Sequence, residues 1–289
     1  MGISRDLLLV RNGAKDLYSP FEEMFDSIKN ALEGGGVRIA DGGLFLISES
    51  ATSSASGLLS HFLSFGVANN RHVCFVSLQH TWGHYCNIGS KFGVNLRQQA
   101  AEGKVKVIEG LKLMSEVLKD DFQEIDHPFS FILEPSEQPL RNLYNVIRRT
   151  VEPWRENNEH FVLVIDGVSS LLNLGVLSSQ IEIFVNYCRT LIEGNNNPDY
   201  LGVLVLVTKS FGKDEDASLI VNRLAQCSVV HMSLEALSTG FSREVHGNVR
   251  FIFNHASPHL ALPDVQLFQY KMEDKNIKLF APGTSASVL

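Results

Sequence analysis

The chain contains 289 residues, of which 44% are hydrophobic and 20% are charged, a composition that supports a sizeable core. Its formal net charge of -7 argues against a domain that binds nucleic acid alone, because such domains are usually basic. No run approaches the ~20 consecutive apolar residues that span a bilayer, so we expect no membrane contact.

Strand-like and helix-like segments alternate through the middle of the chain. Apolar residues spaced three and four apart predict a first helix over residues 21–32. Strands are predicted at "LFLIS", "RHVCFVSLQ", "KVKVIEGL", "HFVLVIDGV" and "YLGVLVLVTKS". The predicted helices between them are residues 53–65, residues 82–92, a helix from Leu140 that Pro153 kinks or ends, and "SSQIEIFVNYCRTLIEG", with a serine cap and a glycine stop.

The predicted strands are continuous apolar runs, which is typical of a parallel sheet covered on both faces. After Val229, the segments "VVHMSLEAL", "GNVRFIFNH" and "VQLFQYKMEDKNIKLF" are joined by short turns and indicate an antiparallel extension. We therefore predict an α/β fold with a mostly parallel central sheet, flanking helices and antiparallel C-terminal strands. Residues 1–40 are predicted to form a helical or irregular extension, and residues 41–289 a single domain.

The stretch "LFLISESATSSASGLL" has the layout of a phosphate-binding turn: a strand, a loop of small residues and a helix. In the working loop, G-x-x-x-x-G-K-[ST], backbone N–H groups and a lysine hold the phosphates, and a hydroxyl binds Mg²⁺. Laid over this chain, the two glycines fall on Glu49 and Ser54, the lysine on Ala55 and the hydroxyl on Ser56. Only Ser56 fits the pattern, and Glu49 directs negative charge toward a polyanion. We predict a degenerate loop that starts a helix.

The run "FVLVIDG" retains the other feature of a phosphate-loop nucleotide site, a carboxylate at the end of a strand. It ends a buried strand at Asp166, where phosphate-loop folds place a carboxylate for Mg²⁺. Many parallel strands end in aspartate, so the alternative is that Asp166 caps the turn that follows it.

A cluster of two histidines and a cysteine is a further candidate for chemistry. His80, His84 and Cys86 are close in sequence, and a histidine pair four apart on a helix can bind zinc. No third ligand follows at a familiar spacing, so we expect no metal site and assign these histidines to packing or solvent. No Ser/His/Asp set and no carboxylate pair has a spacing that argues for catalysis.

The most basic patch lies on the helix that follows Leu140. Arg141, Arg148 and Arg155 are seven apart and share one flank if the helix continues past Pro153. With Arg149 they form either a solvated face or a contact for RNA phosphate or an acidic partner.

The order of these segments is that of the RecA-like ATPases: a strand, a phosphate-type turn, "VLVIDGVSSLL", a long helix and "GVLVLVTKS". The run "HFLSFGVANNRHVCFVSLQHTWGHYCNIGSKFGVNL" closely resembles the family of sixth subunits of the Elongator complex. "LSSQIEIFVNYCRTL", "EALSTGFSREVHGNVRF" and the tail "FQYKMEDKNIKLFAPGTSASVL" do so as well. The resemblance runs from about residue 40 to the C-terminus and is weaker over residues 112–138.

The resemblance implies a RecA-like fold without a standard phosphate loop. It also implies a hetero-hexameric ring with two copies each of subunits four, five and six, which docks on subunits one to three and binds tRNA. The complex modifies carbon 5 of the wobble uridine, and its catalytic machinery belongs to another subunit. We therefore expect a non-catalytic subunit without cofactor or metal, in the cytoplasm and also in the nucleus. The alternatives are a nucleotide-hydrolysing RecA-like ATPase with an atypical phosphate loop, and an adaptor that never touches RNA.

In RecA-like rings the loop after the strand "VLVLVT" often faces the central pore, and here that loop reads "KSFGKDEDASLIVNR". The candidate tRNA contacts are Lys209, Lys213, Arg223, Arg148 and Arg149; an exposed loop without a ligand is the alternative for the first three. We also expect the phenylalanines of the late strands to supply the apolar faces of the ring. These are Phe241, Phe251, Phe253, Phe268 and Phe280.

Overall fold

A computed structural model describes residues 26–119, 122, 126–193, 202–210, 215–237, 240, 242, 244–254, 264–273 and 276–284. The strands, in chain order, are β1 (Gly43–Ser50), β2 (His72–Ser77), β3 (Val105–Glu109), β4 (Phe161–Asp166), β5 (Val203–Ser210), β6 (Val230–Glu235), β7 (Gly247–Phe253), β8 (Asp264–Met272) and β9 (Ile277–Phe280). The helices are α1 (Asp26–Gly34), α2 (Ser56–Ala68), α3 (Trp82–Lys91), α4 (Leu96–Ala101), α5 (Gly110–Val117), α6 (Arg141–Glu156), α7 (Ser178–Ile192) and α8 (Glu215–Cys227).

The nine strands form one sheet in the order β3-β2-β4-β5-β1-β6-β7-β8-β9. All pairs from β3 to β6 are parallel, and the three pairs from β6 to β9 are antiparallel. The predicted fold class is confirmed, including the change from parallel to antiparallel pairing after Val229.

Each central strand is buried on both sides because its side chains alternate between two cores. In β1, Phe45 and Ile47 enter the core beneath α1, α2 and α3, whereas Leu44 and Leu46 enter the core beneath α6, α7 and α8. This double burial explains why the parallel strands read as unbroken apolar runs.

Two helix ends differ from the prediction. Pro153 lies in the last turn of α6, which continues to Glu156, so the proline marks the end only to within one turn. The predicted serine cap of α7 is wrong, because Leu177 occupies the N-cap position and Ser178 is the first helical residue. The backbone N–H of Leu177 donates to Oε1 of Gln180 at 3.0 Å, so a glutamine side chain pairs with the backbone donor of the N-cap residue.

The first predicted helix is observed as α1, which lies against β9. Its residues Ile28, Ala31 and Leu32 are buried in the same core as β7. The earlier part of the predicted helix, residues 21–25, lies outside the described residues. The division of the chain near residue 40 stays a prediction.

The expectation for the late phenylalanines is wrong for two of them. Phe251 and Phe253 are fully buried, because β7 directs them into the core of this chain, and they supply no outer face. Phe268 and Phe280 are half-buried. Phe241 lies outside the described residues. Over the described part of the chain, no helix is both long enough and apolar enough to cross a bilayer.

Candidate functional site

Glu49 fills the loop between β1 and α2 with its own carboxylate. The side chain is only 3% exposed. Its Oε2 accepts the backbone N–H of Ala55 at 2.6 Å, and its Oε1 accepts the side-chain amide of Gln79 at 2.7 Å. Ala55 immediately precedes α2, and backbone N–H groups at a helix start are the donors that ordinarily hold a bound anion. Here the carboxylate of Glu49 accepts one of these N–H groups.

The serines of the loop hold the backbone in place. The Ser53 hydroxyl accepts the backbone N–H of Ser50 at 2.8 Å and donates to the carbonyl of Leu234 in β6 at 3.1 Å. Ser54 and Ser56 are joined through their hydroxyls at 3.1 Å. The loop is therefore closed by contacts within the chain, as expected of a serine-rich start to a helix.

Asp166 ends β4 and is 1% exposed. Its Oδ2 accepts the backbone N–H of His80 at 3.3 Å, and its carboxylate also accepts the hydroxyl of Tyr85. The backbone carbonyl of Asp166 accepts the N–H of Leu78 at 2.9 Å. The predicted cap on the following turn is thus corrected: Asp166 caps the turn that follows β2, the neighbouring strand.

Burial raises the pKa of Asp166 to about 7, because the ionised carboxyl loses its hydration. The hydroxyl of Tyr85 opposes this shift, while the negative charge of Glu49 adds to it. Burial also raises the pKa of Tyr85, which therefore remains a hydrogen-bond donor at neutral pH. The carboxyl group at the end of β4 therefore titrates near neutral pH, well above its ordinary range.

The two histidines beside this cluster contact each other and the loop. The rings of His80 and His84 stack with their centroids 4.5 Å apart. Nε2 of His84 is 3.1 Å from the hydroxyl of Ser56, and Nε2 of His80 is 3.2 Å from the amide nitrogen of Gln79. Burial lowers the pKa of both imidazoles. Among the residues that the structure describes, no three His, Cys, Asp or Glu side chains are arranged to hold a metal ion.

Lys209 joins this cluster rather than standing apart on a loop. It is the penultimate residue of β5, directly opposite Glu49 in the strand register, and its backbone N–H donates to the hydroxyl of Ser169 at 2.9 Å. Its side chain is close enough to lower the pKa of both Asp166 and His80. The other candidate in this loop, Lys213, lies outside the described residues.

The basic candidates on the helices fall on other surfaces. Arg148 and Arg149 are exposed on α6, and Arg223 is exposed on α8. The expectation that Arg155 shares one solvent-facing flank with Arg141 and Arg148 is wrong. The side chain of Arg155 is only 9% exposed, contacts Glu152 at 3.2 Å and donates to the backbone carbonyls of Thr190 and Glu193 at 3.4 Å each.

Sequence reasoning missed Gln79 and Tyr85 as members of the site. Gln79 follows the end of β2, and the carboxyl ends of neighbouring parallel strands meet at one edge of a sheet. The position of Gln79 just after a predicted strand was therefore the signal in the sequence that could have placed it in the site. Gly167, which follows β4, lets Gln79 lie close to the end of that strand. Its φ is 83°, and a Cβ at this position would lie 2.6 Å from the Cβ of Gln79. No pattern in the sequence indicated Tyr85.

The fold and this edge of the sheet place the chain in a known structural class. A KaiC-like protein from the archaeon Pyrococcus horikoshii superposes with a TM-score of 0.52, at 14% identity, over 83% of this chain and 90% of the other. The chain therefore has the RecA-like α/β fold.

Sequence comparisons define the family. The family model described as "Elongation complex protein 6" matches residues 25–274. Proteins named Elongator complex protein 6 from Rattus norvegicus and Homo sapiens are 34% and 33% identical, over 92% of this chain and their full length. The protein of that name from Drosophila melanogaster is 27% identical over 83% of this chain and 91% of its own length. The chain belongs to the Elongator complex protein 6 family.

Proposed function

We propose that this protein is a non-catalytic subunit of the Elongator complex. In this proposal it forms a hetero-hexameric RecA-like ring with subunits four and five, two copies of each, which docks on subunits one to three. The assembled ring binds tRNA in the cytoplasm and the nucleus and supports modification of the wobble uridine at carbon 5. Support for the complex comes from the shared name of the relatives, and support for the ring comes from the RecA-like fold.

The observation that carries the non-catalytic role is the position of Glu49. A bound phosphate needs free backbone N–H groups and positive charge at the start of α2. Glu49 takes the N–H of Ala55 and places a negative charge beside it. Two like charges 4 Å apart repel by about 4 kcal/mol at an effective dielectric constant of 20. Ala55, at the position of the phosphate-binding lysine, supplies nothing to offset this repulsion.

The environment of Asp166 supports the same role. A carboxyl group binds Mg²⁺ in its ionised form. The Asp166 carboxyl group is buried, accepts hydrogen bonds from Tyr85 and His80, and keeps much of its proton near pH 7. It is thus poorly suited to hold a nucleotide-bound magnesium ion. No observation favours the alternative of nucleotide hydrolysis.

For tRNA, we propose a surface shared with the neighbouring subunits. The net charge of -7 opposes strong binding by this chain alone, so in this proposal the cations of several subunits act together. The proposed contributors from this chain are the exposed Arg148, Arg149 and Arg223, together with Lys209 and Lys213.

Co-expression with subunits four and five tests the assembly. We expect native mass measurement to give a complex with two copies of each chain, and the chain expressed alone to aggregate or self-associate. A stable monomer that shows no affinity for either subunit would contradict the proposal.

A further inference from the structure

Among the residues that the structure describes, none covers a groove between α6 and α7 on the face that carries the second core. It has a volume of about 690 Å³. Its walls are mostly apolar and include Leu140, Tyr144, Ile183, Phe184 and Tyr187. A folded chain ordinarily buries such a concentration of aliphatic and aromatic groups, or covers it with a partner.

The groove exposes apolar side chains in a fixed arrangement. Ile183 and Tyr187 are each 55% exposed, although both are large hydrophobic residues on a regular helix. They are four apart on α7 and so lie on one face. The ring centroids of Tyr144, on α6, and Tyr187, on α7, are 5.5 Å apart, so the two walls meet at this point. A groove between two packed helices fits a third helix that presents residues at spacings of three and four.

The charges around the groove favour a protein over RNA. Arg141 lines it, and Arg148, one turn beyond Tyr144, continues the same face of α6. Exposed tyrosines beside arginines would also suit a stacked nucleobase. However, Glu137 lines the groove as well, and the aliphatic Ile183 stands on its α7 side. A carboxylate at the rim repels a phosphate backbone, and Ile183 offers no stacking surface.

We propose that this groove docks an amphipathic helix of a partner protein. The apolar stripe of that helix would pack on Ile183 and Tyr187, and its carboxylates would face Arg141 and Arg148. The surface lies on α6 and α7, away from the loop that Glu49 fills, and its use does not depend on the ring described above.

Three synthetic peptides of about 16 residues, long enough for four helical turns, test the proposal on the full-length chain by fluorescence anisotropy. The first carries leucines at spacings of three and four with glutamates beside them. The second has the same composition in scrambled order, and the third has lysine in place of glutamate. We expect the first to bind at least tenfold more tightly than either of the others.

Ile183→Glu and Tyr187→Glu are expected to weaken binding of the first peptide at least tenfold. Both sites are half exposed, so the folded state should tolerate these changes, which thermal unfolding would verify. Leu219→Glu is the matched control, because Leu219 is 44% exposed on α8 and does not line the groove. It should leave binding unchanged.

Other results would overturn the proposal. Equal binding of the ordered and scrambled peptides, or no binding of the first, would reject a helix-docking groove. If single-stranded RNA binds the chain and Ile183→Glu abolishes that binding, the occupant is RNA. If the chain dimerises and the same substitution dissociates the dimer, the occupant is a second copy. Failure of ring assembly with intact peptide binding would reject the proposed function and leave this site standing.

Discussion

Glu49 is a buried carboxylate with two specific donors, and its energetic role follows from them. The N–H of Ala55 and the amide of Gln79 both lose their acceptor if the carboxylate is removed. A buried donor left without a partner costs about 1–3 kcal/mol. Glu49 therefore stabilises the fold at the position where a nucleotide-binding relative would need an empty loop.

Glu49→Ala should lower the free energy of unfolding by about 1–3 kcal/mol, because it leaves both donors unpaired. Chemical denaturation of the full-length chain measures this change. Glu49→Gln is the matched control, since its amide oxygen still accepts one hydrogen bond, and its effect should be smaller. An unchanged stability of Glu49→Ala would show that the contacts to Ala55 and Gln79 do not hold the loop.

Asp166 should make stability depend on pH. Its pKa is about 7 in the folded protein and 3.8 ordinarily, so the folded state keeps a proton that the unfolded state has lost. The stabilising contribution of the protonated group is complete below pH about 4 and is lost as pH rises through about 7. Asp166→Asn cannot lose a proton and still offers an oxygen to His80 and Tyr85.

The stability of Asp166→Asn relative to the unmodified protein should therefore increase from pH 4 to pH 7 and then level off. The change should be at most about 4 kcal/mol, since each pKa unit corresponds to about 1.4 kcal/mol. Urea titrations of both proteins across this range supply the measurement. A difference that is flat with pH would mean that Asp166 is ionised throughout.

At the scale of elements, the contact between α6 and α7 determines where Arg155 points. Its guanidinium reaches carbonyl groups at the C-terminal end of α7, which have no partner inside that helix. The positive charge also interacts favourably with the negative end of the α7 dipole. Arg155 therefore ties two helices together, and the patch of solvent-facing arginines is smaller than its spacing suggested.

Arg155→Ala should lower the free energy of unfolding by about 1–2 kcal/mol, because two carbonyls and Glu152 lose a charged partner. Arg148→Ala, on the exposed side of the same helix, should change stability by less than about 0.5 kcal/mol. Thermal or chemical unfolding of the two variants compares them directly. Equal effects would contradict the structural role assigned to Arg155.

The elements that the sequence predicted well are those whose burial leaves a pattern. The central strands β1, β2, β4 and β5 read as apolar runs because both of their faces are covered, whereas β3 lies at the sheet edge with Lys106 exposed. The antiparallel pairing predicted after Val229 is confirmed, but the predicted short turns are wrong for the β6–β7 and β7–β8 connections, which span residues 236–246 and 254–263. The ends of the helices were harder to predict from the sequence. Gln180 caps α7 through its side chain, and Pro153 fits within the last turn of α6.

The candidate site was predictable in position but not in its contacts. The mismatch at Glu49 and Ala55 was readable from the sequence, and so was the end of a strand at Asp166. That Glu49 bonds to Gln79, and that Asp166 bonds to His80 and Tyr85, depends on which strand ends lie side by side. Strand order is a property of the whole sheet, and no local spacing encodes it.

For the whole molecule, tRNA binding is proposed as a property of the assembled ring. Lys209→Gln with Lys213→Gln should weaken tRNA binding and flatten its salt dependence, with a loss of slope of up to about 0.9 per phosphate contact removed. Glutamine is preferable to glutamate here, because Lys209 lies beside Glu49 and Asp166, where a third carboxylate would disturb the fold. Filter binding at several salt concentrations measures both effects.

The matched control removes the same charge from another surface. Lys91→Gln with Lys112→Gln changes two exposed lysines on α3 and α5 and should leave the slope unchanged. Identical affinities and slopes for both double variants and the unmodified ring would remove Lys209 and Lys213 from the tRNA surface.

The most direct test of the central claim is a thermal unfolding titration with Mg·ATP, performed on the full-length chain and on the assembled ring. A ligand at 100 times its dissociation constant stabilises the folded state by about 2.7 kcal/mol, so specific binding is readily detected. We predict no shift of the unfolding midpoint at millimolar Mg·ATP, because Glu49 already occupies the start of α2. A shift in the unmodified chain that Ser56→Ala and Asp166→Asn both abolish would contradict this claim.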